Sequence, residues 1–344
     1  MAKLLEIKDQ IFRLRGEYET YFKFIYKFVI ALALFCIVDV SVGFNESIST
    51  FPIALLLALV CCLLPQSVTL FVAAALIVAN LYVLSLEVAL TSVLVFVLIF
   101  FLYFRFSPKD GVLFALTPIC FALHIPYILP IGTGLLRKAH SAAAVACGTV
   151  CYFFLDGIYQ NVTALQATIA GGGDVVATKM TITAGQLLTN KEMYFTVIVF
   201  VISTIVVFGI RNMVIDHAWK VAMASGALVQ ISGLFVGYLL FDISGKTLGM
   251  ILGNLVAVAL GLALEFLFMD LDYSRTERVQ FEDDDYYYYV KAVPKKMIAS
   301  MDKEVIEFSG KNPLDKIKSR RKKEEDAVSR KQIAQELEID EDLL

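Results

Sequence analysis

The sequence predicts an all-α protein, a polytopic bundle of transmembrane helices that ends in a charged C-terminal tail. Hydrophobic residues make up 58 % of the 344-residue chain and charged residues 18 %, whereas soluble globular domains contain about half and about a quarter. Residues 1–24 and 270–344 hold 43 of the 63 charged residues. Stretches of about 20 apolar residues recur between these two regions, and that is the length needed to cross a bilayer. This pattern excludes a soluble enzyme, a secreted disulfide scaffold and a transmembrane β-barrel.

Three regions follow from this distribution. In residues 1–24 apolar side chains recur every three or four positions with basic residues beside them, which predicts an amphipathic helix. That helix lies either in the cytoplasmic membrane interface or against the protein's own bundle. Residues 25–269 form the transmembrane domain, in contact with the lipid bilayer. Residues 270–344 form a cytoplasmic tail that is expected to be mostly disordered, with a short strand within 281–294, where 286–290 is β-prone.

The transmembrane domain contains nine apolar runs, and the distribution of basic residues tests how many of them cross. The N-terminal 27 residues carry six Lys or Arg, and the C-terminal 75 carry fifteen. The positive-inside rule therefore places both termini in the cytoplasm of a plasma-membrane protein. Two cytoplasmic ends require an even number of crossings, so one run does not cross. The runs are 25–44, 51–64, 68–84, 88–106, 112–130, 142–160, 193–215, 219–241 and 246–269.

The run at 112–130 is the preferred non-crossing segment, because a proline inside a straight helix costs about 3 kcal/mol and this run contains three. They are Pro118, Pro126 and Pro130. If 112–136 enters and leaves from the cytoplasmic side, the basic loops sort to that side. The alternative is 51–64, which is short and ends before a proline. We therefore expect about eight full spans plus one Pro-broken segment, either re-entrant or kinked.

The broken segment also carries the first candidate for a transport pathway. Irregular backbone at membrane depth is tolerated only where it is buried in protein or lines a watery cavity, and His124 lies within it. The alternative is a kinked spanning helix in which His124 bonds a neighbouring carbonyl. Asp39 and Asp156 lie toward the outer ends of their runs and are candidates for a shared cation or proton site. The candidate pathway residues are thus His124, Pro118, Pro126, Asp39 and Asp156.

Glycines at four-residue spacing predict a second feature, close packing between helices. Gly245, Gly249 and Gly253 form a small-residue series that lets two helix backbones approach. The preceding run repeats the theme with Gly226, Gly233 and Gly237. The partner helix belongs either to this chain or to another subunit of a homo- or hetero-oligomer.

No motif in the chain indicates catalysis or cofactor binding. The six cysteines all lie in apolar runs, without a CxxC or a His at metal-ligand spacing. The GGG at 171–173 does not match a nucleotide-binding fingerprint. We therefore expect no enzyme activity, no cofactor, no metal and no nucleic-acid partner. The loop at 161–192 is either a flexible connector or a lid over an outer cavity.

The tail contains a block of basic residues about 45 residues after the last span. This block either returns to anionic lipid or binds a cytoplasmic protein partner. It comprises Lys316, Lys318, Arg320, Arg321, Lys322 and Lys323.

The segment RTERVQFEDDDYYYYVKAVPKK at 275–296 follows the last helix. With this tail, the chain resembles multi-pass membrane proteins of Gram-positive anaerobic bacteria that are often labelled ABC transporter permeases. The resemblance implies a permease-like transport component of unknown substrate and carries over no site residues. The alternative function is a membrane scaffold whose tail recruits envelope-assembly or division partners.

Overall fold

The computed structural model describes most of the transmembrane domain and the start of the tail. The residues described are Lys8, Gln10, Leu14 and 16–293, with gaps at 46–47, 168–174, 244 and 270–275. They belong to one compact unit, Leu4–Met297. Most of the predicted N-terminal helix and all of the basic block at 316–323 lie outside the described residues.

The described chain is a helix bundle followed by a β-hairpin, which confirms the predicted fold class. Seven of the described helices are long and apolar enough to cross a membrane; they begin at Glu19, Gln66, Leu86, Ala139, Lys191, Ala218 and Thr247. The helices are α1 (Glu19–Val42), α2 (Phe51–Leu63), α3 (Gln66–Leu84), α4 (Leu86–Phe106), α5 (Gly111–Ala122), α6 (Ile128–Leu136), α7 (Ala142–Gln160, after a 3-10 turn at Ala139–Ser141), α8 (Val162–Ala167), α9 (Val175–Leu188), α10 (Lys191–Arg211), α11 (Ala218–Leu240) and α12 (Thr247–Phe268). The strands are β1 (Glu277–Glu282) and β2 (Tyr287–Ala292).

The two ends of the bundle are identified by contacts between distant parts of the chain. Lys8 Nζ donates a hydrogen bond to the carbonyl of Met269 at 3.1 Å. The chain therefore enters the helix bundle and leaves it at the same end. We call this the terminal end. At the opposite end, the Asn80 side chain accepts hydrogen bonds from the Asn45 amide at 3.2 Å and from Ser49 Oγ at 2.8 Å. We call this the cavity end.

Helix α2 also runs between the two ends, although it is short. It starts beside the Asn80 contacts. It ends just before Leu64, whose carbonyl accepts a hydrogen bond from Lys27 Nζ at 3.2 Å. Its 13 residues make it about 20 Å long, less than the roughly 30 Å of a bilayer core. Together with the seven long helices it gives eight helices that run between the two ends of the bundle in the described chain. Only seven of these are long and apolar enough to cross a membrane, so the expected eight full crossings stay a prediction.

Helices α5 and α6 form a re-entrant hairpin (residues 111–136) that enters and leaves at the terminal end. The Asp110 carboxylate, just before α5, accepts a hydrogen bond from Ser141 Oγ at 2.6 Å. It also lies 3.8 Å from Arg137 Nε, just after α6. Ser107 Oγ donates to the His140 carbonyl. These contacts hold the two ends of the hairpin together, as expected for a Pro-broken segment that enters and leaves on one side.

The backbone explains where the hairpin turns and how it is anchored. His124 has a φ of 59°, a left-handed conformation that ends a helix, and Pro126 cannot continue the hydrogen-bond ladder. Pro118 remains inside α5, where it is buried. At the other end, Arg211 Nη1 of α10 donates to the carbonyls of Gly134 and Leu135. A cation in this place stabilises the C-terminal end of α6.

Close helix packing is concentrated between α10 and α11. A Cβ atom at Gly226 would lie 2.3 Å from Val207, and one at Gly237 would lie 2.2 Å from Phe195. Gly233 makes the same kind of approach to α10. Side chains larger than hydrogen therefore cannot be accommodated at these positions without moving one helix.

The described part of the tail is an antiparallel β-hairpin with β1 paired to β2 from Glu277↔Ala292 to Glu282↔Tyr287. The segment 281–294, where a strand was predicted, contains β2 and the last two residues of β1, whereas the rest of β1 was not predicted. Phe281 and Tyr288 stack across the strands with ring centroids 4.9 Å apart. Both aromatic rings remain exposed, so the hairpin carries an uncovered aromatic surface.

Candidate functional site

A polar cavity of about 670 Å³ lies at the cavity end of the bundle. Its walls come from the ends of α7, α10, α11 and α12 that face this side, and its floor is the tip of the re-entrant hairpin. The lining residues are Phe121, His124, Pro126, Tyr127, Tyr152, Phe153, Asp156, Gly157, Gln160, Asn190, Glu192, Thr196, Phe200, Leu234, Tyr238, Gly245, Lys246, Gly249 and Met250. We call this space the polar cavity.

The floor is built from irregular backbone. His124 and Pro126 lie in the turn between α5 and α6, and His124 is exposed to the cavity. Tyr127 follows them and supports the floor from one side, because its ring packs against the backbone of Gly253 in α12. The hairpin turn therefore places the His124 imidazole inside the helix bundle, where a continuous apolar helix would place a hydrocarbon side chain.

Charged groups cluster at the rim of the polar cavity. Lys246 Nζ donates to both carboxylate oxygens of Glu192, at 2.7 and 2.8 Å, and so joins α12 to α10. Asp156 on α7 accepts a hydrogen bond from Gln160 Nε2 at 2.6 Å. Asn190 caps α10 by accepting from the Met193 amide at 3.0 Å. Two carboxylates and one ammonium thus face the same space.

Aromatic rings form much of the wall below this rim. Phe121 on the hairpin stacks on Tyr152 of α7, with centroids 4.4 Å apart. Phe121 also meets Phe200 of α10 at 6.1 Å, and Phe200 meets Tyr127 at 6.3 Å in an edge-to-face arrangement. Tyr238 completes the aromatic wall from α11. Rings of this kind offer apolar contact, hydroxyl groups and negative π-faces.

The structure brings three of the predicted pathway residues together and separates the other two. His124, Pro126 and Asp156 line the polar cavity. Pro118 lines a neighbouring apolar cavity, which Asp156 also reaches. Asp39 lines neither cavity, so it does not share a cavity with Asp156. Its Oδ1 atom is buried without a hydrogen-bond partner among the described residues.

The predicted glycine series has two different environments. Gly253 approaches Tyr127 closely, so it does provide a packing contact, although its partner is the hairpin rather than a transmembrane helix. Gly245 precedes α12 with a φ of +90°, in the left-handed region that favours glycine. A Cβ atom added at Gly245 or at Gly249 would meet nothing within 4 Å, and both residues line the polar cavity instead. Their small size keeps the cavity open.

In its described residues, the segment 161–192 contains the helices α8 and α9 and reaches the polar cavity through its C-terminal end. Lys179 of α9 is buried and lies 4.0 Å from the Glu87 carboxylate at the start of α4. Within the described part of this segment, Asn190 and Glu192 reach the polar cavity. Sequence reasoning missed these two residues and Lys246, whose only signal was a charge at the start of an apolar run.

Comparisons with protein-family models, with curated proteins and with solved structures find no match to this chain. Among the described residues, no group of three or more His, Cys, Asp and Glu side chains could hold a metal ion. The arrangement of the polar cavity is therefore the basis for assigning a function.

Proposed function

We propose that this protein is a permease-like transport protein of the plasma membrane, and that the polar cavity is its solute-binding site. The observation that carries the proposal is a polar cavity inside an apolar helix bundle, with a re-entrant hairpin tip as its floor. Transporters commonly bind solutes near the middle of the membrane, beside broken helices. The proposal includes that the protein is not an enzyme. Its resemblance to permease-labelled proteins supports the proposed transport function.

Buried polar side chains continue beyond the floor toward the terminal end. Gln230 lies one helical turn from the cavity-lining Leu234, and its Nε2 donates to Ser203 Oγ at 3.1 Å. Asn254 lies one turn from the cavity-lining Met250, to whose carbonyl its Nδ2 donates at 3.0 Å. The side-chain oxygens of Gln230 and Asn254 are buried without a hydrogen-bond partner. Unpaired polar groups are costly in a membrane, and a solute pathway is one reason to retain them.

The direction of transport in this proposal follows from the basic residues. The loops at the terminal end contain Lys109, Arg137 and Lys138, and Arg211 ends α10 there. The positive-inside rule assigns that end to the cytoplasm, so the polar cavity opens to the outside. The hairpin then closes the cytoplasmic side, and its movement relative to α10 and α12 would release the solute inward.

Solute flux into proteoliposomes tests this function, with two glycine variants as a matched pair. Gly249→Leu places a side chain in the polar cavity, whereas Gly209→Leu adds the same side chain at another helical glycine with open space around it. A panel of radiolabelled amines, amino acids, sugars and inorganic ions is screened. We expect at least one solute to enter through the wild type and the Gly209→Leu protein, and its initial rate to fall at least tenfold in Gly249→Leu. Absence of protein-dependent flux for the whole panel, or equal rates in both variants, contradicts the proposal.

The scaffold function is a second candidate, favoured by the uncovered aromatic surface of the β-hairpin. Tyr289 is 79 % exposed and Phe281 51 % exposed, and exposed aromatic patches often mark protein interaction sites. Truncations after residue 276 and after residue 296 separate the hairpin from the remaining tail. If the protein is a scaffold, at least one truncation abolishes co-purification of cytoplasmic partners while solute flux is unchanged. Partner recovery that survives both truncations removes this candidate.

A further inference from the structure

A second cavity adjoins the polar cavity and is mostly apolar. It has a volume of about 270 Å³ and lies between α1, α3, α4, α5 and α7. Its deep part is lined by residues such as Leu34, Leu70 and Phe100. Its polar lining residues lie toward the cavity end, among them Ser41, Asp156 and Tyr159. Along α7 the wall runs from Cys151 to Tyr159, about 12 Å at 1.5 Å per residue.

The two cavities share one wall. Tyr152 and Asp156, one turn apart on α7, line both of them. Helix α5 of the hairpin separates the cavities elsewhere, since Pro118 and Ala122 line the apolar cavity while Phe121 lines the polar one. A single carboxylate, that of Asp156, therefore lies where an apolar cleft meets a polar space.

The described side chains at this junction carry a net negative charge. The Lys246 ammonium is bound to Glu192 by two short contacts. Asp156 is bonded to the neutral Gln160 amide. Of the side chains that the structure describes, none forms an ion pair with Asp156. The polar cavity is lined by the carboxylates of Asp156 and Glu192 and by one ammonium, that of Lys246, so these three side chains leave one excess negative charge.

The aromatic wall beside Asp156 suits an organic cation. Tyr152 is part of the wall that the two cavities share, and its ring stacks on Phe121. The rings of Tyr127, Phe200 and Tyr238 also line the polar cavity. Aromatic faces attract ammonium groups within about 6 Å, most strongly where water is excluded. A carboxylate next to several rings is therefore a fitting site for an alkylated ammonium head group.

We propose that the solute is a single-chain amphiphilic cation, with its ammonium head at Asp156 in the polar cavity and its hydrocarbon chain in the apolar cavity. This inference rests on the proposed transport function, because it names the class of solute for the same site. It accounts for two features together, the polar and apolar cavities that meet at one side chain and the excess negative charge at their junction.

Calorimetric titration of the full chain in phosphatidylcholine nanodiscs, with empty nanodiscs subtracted, tests the inference. The probes are tetramethylammonium, hexyltrimethylammonium, decyltrimethylammonium and decyl sulfate. Burial of each methylene raises affinity by about fourfold, so the decyl cation should bind at least tenfold tighter than the hexyl cation. Decyl sulfate has the same chain with the opposite charge and should not bind specifically. Equal binding of decyl sulfate, or no dependence on chain length, overturns the proposal.

Paired variants assign the head and the chain to their sites. Asp156→Asn should weaken the binding of decyltrimethylammonium at least tenfold. Asp39→Asn makes the same acid-to-amide change outside both cavities and should leave this affinity unchanged. Ala122→Phe fills the exposed mouth of the apolar cavity and should make the hexyl and decyl cations bind alike. Ala224→Phe, at an exposed position of α11 outside both cavities, should preserve the difference. Unchanged binding in both Asp156→Asn and Ala122→Phe overturns the proposal.

Flux separates failure of this inference from failure of the transport function. Flux of some other solute that Gly249→Leu blocks, without binding of the cationic amphiphiles, refutes the solute class and leaves the transport function in place. Specific binding of the amphiphiles without flux of any solute refutes transport and supports the binding site.

Discussion

Glu192 and Lys246 close one side of the polar cavity with an ion pair in which Lys246 Nζ contacts both carboxylate oxygens, at 2.7 and 2.8 Å. The pair links the first turn of α10 to the residue that precedes α12. The Lys246 side chain is 56 % exposed and that of Glu192 24 % exposed. Pairs with this exposure contribute about 0.2–1 kcal/mol to stability. Their main effect should therefore be on access to the cavity.

The first prediction is that Lys246→Met opens the cavity without unfolding the protein. The melting temperature in detergent should stay within a few degrees of the wild type, because a solvent-screened pair contributes little. In a Cys-free background, a membrane-impermeant maleimide should label His124→Cys at the cavity floor at least threefold faster when Lys246 is also replaced. High salt should produce part of this increase when Lys246 is present and little when it is absent. Labelling rates that do not respond to Lys246→Met would show that the pair does not limit access.

The second prediction concerns two glycines that look alike in the sequence. Gly226→Leu should destabilise the protein by about 1–3 kcal/mol or more, because the added side chain meets Val207 and overpacks the α10–α11 contact. Gly249→Leu should leave the melting temperature nearly unchanged, because its side chain enters the polar cavity. Thermal unfolding of both variants in the same detergent measures the difference. Equal destabilisation would mean that Gly249 also lies in a helix contact.

These glycines show what the sequence could and could not establish. Four-residue spacing predicts close packing at Gly245, Gly249 and Gly253. A Cβ atom would meet a neighbour at Gly253, 2.5 Å from Tyr127, but would meet nothing within 4 Å at Gly245 or Gly249. The spacing does not say whether the small side chain makes room for another helix or for empty space. At Gly253 the neighbour is Tyr127, and at Gly249 it is the polar cavity. The answer depends on where the hairpin tip lies, which is a tertiary property.

The topology could be predicted more fully than the site. Prolines and basic residues act locally. The Pro-broken run, and the position of Lys8 and Met269 at the same end of the bundle, could therefore be inferred from where these residues lie in the sequence. His124 and Asp156 could be found because they are polar groups within apolar runs. Glu192 and Lys246 could not, since each resembles an ordinary charge at a helix start. They become a site only because the fold brings them together across 54 positions of sequence.

The third prediction concerns the closure of the hairpin at the terminal end. Asp110 is 3 % exposed and accepts a hydrogen bond from Ser141, which is 1 % exposed. Asp110→Ala leaves that buried hydroxyl without its acceptor and should destabilise the protein by about 1–3 kcal/mol. Asp110→Asn retains a side-chain oxygen as acceptor and should cost clearly less. Thermal unfolding of the two variants measures this order, and equal losses would indicate that the contact with Arg137, rather than the one with Ser141, is the important one.

The last prediction separates a re-entrant hairpin from a kinked crossing helix. Lys109 and Lys138 are both exposed and flank the hairpin, so single cysteines at the two positions should be labelled from the same side of the membrane. Thr189→Cys, exposed near the cavity end, should be labelled from the other side. With the orientation that the basic residues favour, impermeant maleimide added to intact cells labels Thr189→Cys, and it labels Lys109→Cys and Lys138→Cys only after permeabilisation. If Lys109→Cys and Lys138→Cys show opposite accessibility, the segment crosses the membrane, and the hairpin tip cannot be the floor of an outward-facing cavity.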